Sequence, residues 1–148
     1  MKTTAARRRR QALPKFWRPK LTEAQKLNAG LVHHDLVHRL VTGTATKADL
    51  WDWIETGFTY SRMMELLAED GLQFTEEATQ AMERLRLSYE PICERMRRTG
   101  RVGLSGPELN VAREAVAVMD ELLELDRHGI ADQAARWSIE QMANIRRA

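Results

Sequence analysis

TEEATQAMERLRLSYEPICERM, residues 75–96, carries Ala78, Met82, Leu85, Tyr89, Ile92 and Met96 at alternating spacings of four and three. That spacing returns each side chain to one face of an α-helix, so it defines a buried stripe more than five turns long. Thr75 supplies an N-cap, and Glu76 and Glu77 place negative charge where the helix dipole favours it. Pro91 falls inside the stripe. It removes one backbone donor and crowds the preceding turn, which predicts a kink near Leu87 rather than an end. Gly100 and Gly103 mark the loop that follows.

The flanking segments read the same way. Thr22 with Gln25 three residues on is a capping-box pattern, opening a helix from about Glu23 to Thr42 that Gly43 can end in the left-handed conformation. Thr46 caps a second helix with Asp49 in its first turn, running to about Asp70 and stopping at Gly71. Ser105 and Glu108 form a further capping box, with Pro107 in the first turn and Leu104 placed to staple onto Leu109. The stripe behind it is Leu109, Ala112, Val116, Met119 and Leu123, ending near His128 and Gly129. A shorter fifth helix, about Ala131 to Arg147, carries Ala134, Trp137 and Ile145, with Ile139 and Met142 alongside.

No segment alternates with period two between hairpin turns, so no sheet is expected. Four helices of about 20 residues joined by short links favour antiparallel neighbours. The expected fold is therefore all-α: an up-and-down four-helix bundle, residues 21–148, with a shorter fifth helix packed on it and a flexible basic arm, residues 1–20. At 148 residues the chain fits one domain with a core that needs no metal or disulfide staple. The single cysteine, Cys93, excludes an internal disulfide. With no signal-like apolar run at the start, a reducing cytoplasm is expected. No stretch approaches the roughly 20 apolar residues of a membrane span.

The net charge of +2 hides an asymmetry: residues 1–20 carry +8 and the remainder −6. Arg7, Arg8, Arg9, Arg10, Lys15, Arg18 and Lys20 suit phosphate, because neutralising phosphates releases condensed counterions. Phe16 and Trp17 suit stacking on bases or wedging between them, or packing onto the bundle where the arm leaves it. Such a segment buries too little apolar surface to order itself. An acidic protein surface or plain solvent would satisfy the same charges. In an up-and-down bundle the arm leaves an acidic end, marked by Glu65, Glu69, Asp70, Glu76, Glu77, Glu121, Glu124 and Asp126. The opposite end collects a second basic patch, Arg95, Arg97, Arg98, Arg101, Arg146 and Arg147, together with Arg39 and Lys47. Helix-dipole complementarity accounts for much of this polarity without a ligand.

Catalytic signals are absent. No phosphate loop, dinucleotide fingerprint, Cys-x-x-Cys or nucleophile elbow occurs, so neither cofactor nor enzymatic activity is expected. His34 and His38 share a helix face at the spacing of helical zinc sites, but no glutamate follows His34 and no third ligand is evident; buried or interfacial polar residues are the simpler expectation. Cys93 lies one residue off its stripe with no histidine partner and reads as a small core residue. Trp51 and Trp53 lie 200° apart around the second helix. Both can be covered only if that helix is central or if a second molecule, a homo-oligomer or a protein partner, covers one side.

The runs Leu31-Val32-His33-His34-Asp35-Leu36, Gly43-Thr44-Ala45-Thr46-Lys47-Ala48-Asp49 and Leu104-Ser105-Gly106-Pro107-Glu108-Leu109-Asn110 resemble a group of small bacterial proteins of about this length. Those proteins share a basic N-terminus, this helix order and the second capping box, and often occur with phage or mobile-element genes. The resemblance spans most of residues 15–145 and rests on caps and core positions, so it implies a fold and no catalytic residue. Some members are labelled transcriptional regulators, yet no loop here sets a short recognition helix after a tight glycine turn. The expectation is a non-enzymatic accessory or regulatory protein that meets nucleic acid, or a nucleoprotein complex, through its basic arm. The alternative is an inhibitor or adaptor module of a mobile element that docks on protein through the second-helix aromatics or the arginine-rich end.

Overall fold

The structure is a computed structural model that describes residues 20–147, the side chains of residues 146 and 147 excepted. Five helices follow one another: α1 Glu23–Thr42, α2 Lys47–Glu69, α3 Glu76–Thr99, α4 Gly106–Glu124 and α5 Ile130–Arg147. No strand occurs among the described residues. None of these helices is long and apolar enough to cross a membrane. The basic arm, Lys20 excepted, lies outside the described residues.

Local chemistry sets the helix starts. Thr22, Thr46, Thr75 and Ser105 each accept a backbone N–H from the residue three positions on, and Gln25, Asp49 and Glu108 reach back to complete capping boxes. Gly43 and Gly100 end α1 and α3 at φ of 75° and 72°, conformations that cost a side-chain-bearing residue strain. α3 runs without a break through Pro91. Pro91 and Leu87 both lie on the exposed side, where solvent can take the carbonyl that the missing N–H leaves free.

One helix boundary and one helix face depart from the sequence expectation. α4 ends at Glu124, earlier than His128, because its last turn tightens to i−3 hydrogen bonds at Leu125 and Asp126. Asp126 then leaves the helix and turns its carboxylate on two backbone donors, Leu21 N–H at 2.8 Å and Ala131 N–H at 2.9 Å. One side chain thereby fixes both the entry to α1 and the start of α5. On α5 the inward face is Ala134, Ser138 and Met142, whereas Ile139 and Ile145 are exposed. The polar Ser138 is accommodated because its hydroxyl meets that of Thr59 on α2 at 2.6 Å.

α2 packs against α1, α3, α4 and α5, and α5 covers it most extensively. Its buried set, including Leu50, Trp53, Ile54, Tyr60, Met63, Leu66 and Leu67, covers far more than one stripe. Trp53 is fully buried and Trp51 half-buried against the same core. α2 is thus central, one of the two arrangements that can cover tryptophans on two sides of a helix. A cation–π contact of Arg62 with Trp137, 5.5 Å from ring centroid, joins the same two helices.

Gly57 lets α3 approach α2. A Cβ at that position would lie 1.6 Å from the Tyr89 hydroxyl oxygen and 2.8 Å from its ring carbon. Tyr89 is buried and its hydroxyl donates to the Trp53 carbonyl at 3.4 Å, so the ring has nowhere to retreat. Alanine at an exposed helix position would gain up to about 1 kcal/mol over glycine. Gly57→Ala is expected to do the opposite and lower stability by about 1–3 kcal/mol, the usual cost of overpacking. Chemical denaturation of the two proteins checks the sign.

Candidate nucleic-acid interface

The α1–α2 and α3–α4 links meet at one end of the molecule. Between them lies an open cleft of about 700 Å³, lined by Gly43, Ala45, Thr46, Lys47, Met96, Arg97, Gly100, Arg101 and Val102. Three of those residues are cationic and none is acidic. The cleft also receives Thr46 and Lys47 at the N-terminus of α2, where the Thr46–Asp49 capping box already satisfies the Thr46 and Asp49 N–H groups.

The arginine-rich patch is smaller than its composition suggests. Arg95 makes a bidentate pair with Glu108, with two bonds at 2.7 Å, while Glu108 also caps α4 by accepting the Ser105 N–H. Arg39 is held by Asp35 at 2.6 Å and by Asp49 at 3.0 Å. Arg97 has Glu94 at 3.4 Å, with both side chains largely exposed, a pairing that holds little energy in water. Lys47, Arg98 and Arg101 form no ion pair among the described residues. The patch that can meet an anion is therefore Lys47, Arg97, Arg98 and Arg101. α5 runs from the Asp70–Arg127 pair to the Thr59–Ser138 contact, so its last turn, with Arg146 and Arg147, is directed toward the same end.

Of the arm residues, only Lys20 is described, and it is exposed. Arg7, Arg8, Arg9, Arg10, Lys15, Phe16, Trp17 and Arg18 lie outside the described residues. The point where the arm joins the fold is defined by Leu21, pinned to Asp126 beside the Asp70–Arg127 pair (3.4 Å), at the end opposite the cationic cleft.

His34 and His38 do not come together as ligands. His38 is exposed, and His34 turns instead to Asp120 on α4 at 2.9 Å. The same carboxylate takes His33 Nε2 at 2.6 Å, and His33 Nδ1 meets the Tyr60 hydroxyl at 3.2 Å. His33 is fully buried. Burial holds its imidazole below the usual histidine range, against the pull of the Asp120 carboxylate. A neutral ring fits the network in one tautomer: Nε2–H donates to Asp120 and Nδ1 accepts from Tyr60. No sequence rule marked Asp120, whose partners lie 86 and 87 residues away.

Comparison with protein-family models, curated proteins and solved structures finds no match to this chain.

Asp49 fixes the start of α2, whose Thr46 and Lys47 line the cleft. Its carboxylate accepts the Thr46 N–H at 2.8 Å and faces Arg39, and these contacts, the Thr46 backbone bond foremost, hold its carboxyl below the usual carboxylate range. A carboxyl depressed in the folded state adds stability that is complete above its unfolded value, about 4, and is lost as pH falls through the folded value. Asp49→Asn should therefore melt below the parent at neutral pH. The gap should close as pH is lowered beneath about 4. Thermal unfolding of both proteins across that range measures it.

Proposed function

We propose that this chain is a non-enzymatic accessory or regulatory protein that binds nucleic acid, or a nucleoprotein complex, through two cationic elements: the basic arm of residues 1–20 and the cleft of Lys47, Arg97 and Arg101. The observation that carries the reading is the cleft, where two links and a helix N-terminus gather three cations and no acid. In this reading the first four helices form an up-and-down bundle with α5 laid on α2. The pairing of the α1–α2 link with the α3–α4 link at one end, and of Asp70 with Arg127 at the other, supports that arrangement. The arm root and the cleft then stand roughly 30 Å apart, the length of a 20-residue helix, or about nine steps along a duplex. Two phosphate contacts so separated fix orientation without reading bases, so affinity is electrostatic and weakly sequence-specific.

Docking on a protein through the second-helix aromatics has less support, because Trp53 and Tyr60 face the interior. A protein partner would find its footing at the arginine-rich end.

The test is the salt dependence of binding to a short duplex DNA and a matched RNA. Each phosphate contact contributes about 0.9 to the log–log slope on B-DNA. Replacing Arg7 to Arg10 with alanine, and separately Lys47, Arg97 and Arg101, should each weaken binding and flatten the slope, by up to about 2.7 for three lost contacts. Absence of binding at low salt, or affinity indifferent to both sets of substitutions, would remove the reading.

A further inference from the structure

His33, His34 and Asp120 bring three metal-ligating atoms together where α1 faces α4, one from each side chain and all within 4.8 Å of one another. Neighbouring residues on a helix diverge by about 100°, so two adjacent histidines can share a partner only in the seam beside the helix. Asp120 occupies that seam, and the two imidazole rings lie 4.9 Å apart on either side of it. We infer that His33 Nε2, His34 Nε2 and an Asp120 carboxylate oxygen bind one divalent transition-metal ion of the zinc class.

Donor chemistry selects the ion. Two imidazoles and one carboxylate suit zinc and its first-row neighbours, whereas magnesium and calcium take shells of oxygen. An outer shell is already built. A ligating histidine characteristically engages its second ring nitrogen, and His33 Nδ1 faces the buried Tyr60 hydroxyl at 3.2 Å, with the two rings edge-on at 81°. On binding, the ring proton of neutral His33 sits on Nδ1 and donates to the Tyr60 oxygen, so the same pair of atoms serves with the hydrogen bond reversed. His34 likewise carries its proton on Nδ1.

Binding needs the three side chains to adjust. Bonds of about 2.0–2.1 Å separate tetrahedral ligands by about 3.3 Å, so the Asp120 carboxylate, its oxygens now 2.6 and 2.9 Å from the nitrogens, must retreat by about 0.4–0.7 Å while donor atoms now up to 4.8 Å apart draw together around the ion. The Asp120 side chain is 46% exposed and can move. An ion also has a way in. His34 and Asp120 line two open clefts that follow one another along the α1–α4 seam, one beside His38 and Arg113, the other beside Lys26, Gly30 and Glu124. With three protein ligands, a further coordination position faces these clefts, as in zinc sites that keep one position for water or a ligand.

Calorimetric titration of zinc into the full chain, freed of metal beforehand, tests the inference. One equivalent should bind, and His34→Ala and Asp120→Asn should each weaken binding at least about tenfold. His38→Ala should leave it unchanged. The His34 side chain is 55% exposed, so its removal leaves the core intact and keeps the test valid should the Asp120 variant unfold. Nitrogen-15 shifts of the histidine rings provide a second readout: His33 and His34 Nε2 should move on zinc addition and Nδ1 should become the protonated nitrogen. No binding, binding unaltered in His34→Ala, or binding abolished by His38→Ala alone would overturn the site and leave the nucleic-acid reading untouched.

Discussion

The placement of α2 at the centre, in contact with every other helix, is the constraint from which the remaining structure follows. Its buried side chains point in too many directions for one neighbour to cover them. α1, α3 and α4 cover part of the surface, and α5 returns along α2 to close the rest through Ser138, Trp137 and Met142. Close approach is possible because Gly57 leaves room for Tyr89, and because Tyr60 and Thr59 find polar partners at His33 and Ser138. Buried polar groups satisfied in this way specify one register where an all-apolar helix would tolerate several.

That arrangement also decides which charges remain free. The capping boxes do double service: Asp49 and Glu108 satisfy helix N-termini and at the same time neutralise Arg39 and Arg95. Among the described residues Lys47, Arg98 and Arg101 form no ion pair at this end, and Lys47, Arg101 and the loosely held Arg97 line the cleft between the two links. The polarity of the molecule is therefore more than dipole complementarity. A fully compensated end would have carried a carboxylate in the cleft lining, and none is there.

Much of the fold was legible in the sequence because its signals are local. Thr22, Thr46, Thr75 and Ser105 mark helix starts within a residue, Gly43 and Gly100 mark two ends, and the Ala78–Met96 stripe lies inside or half-inside the core. Long-range partners were not legible. Asp126 bonds across 105 residues to Leu21 and so fixes the entry to α1 from the far end of the chain. The histidine cluster shows the same limit. The i,i+4 rule picks His34 and His38, whereas a carboxylate from α4 selects the adjacent pair His33 and His34. For the fifth helix, Ile139 and Ile145 outrank Ser138 by hydrophobicity, yet Thr59 draws Ser138 inward.

Mapping backbone amide shifts of the labelled chain during titration with a short duplex tests the central claim most directly. The account predicts that amides of residues 43–47 and 96–102 move together, and that their shifts vanish as salt is raised. Shifts confined to the opposite end, around residues 70–75 and 121–129, or to the exposed face of α1, would contradict it.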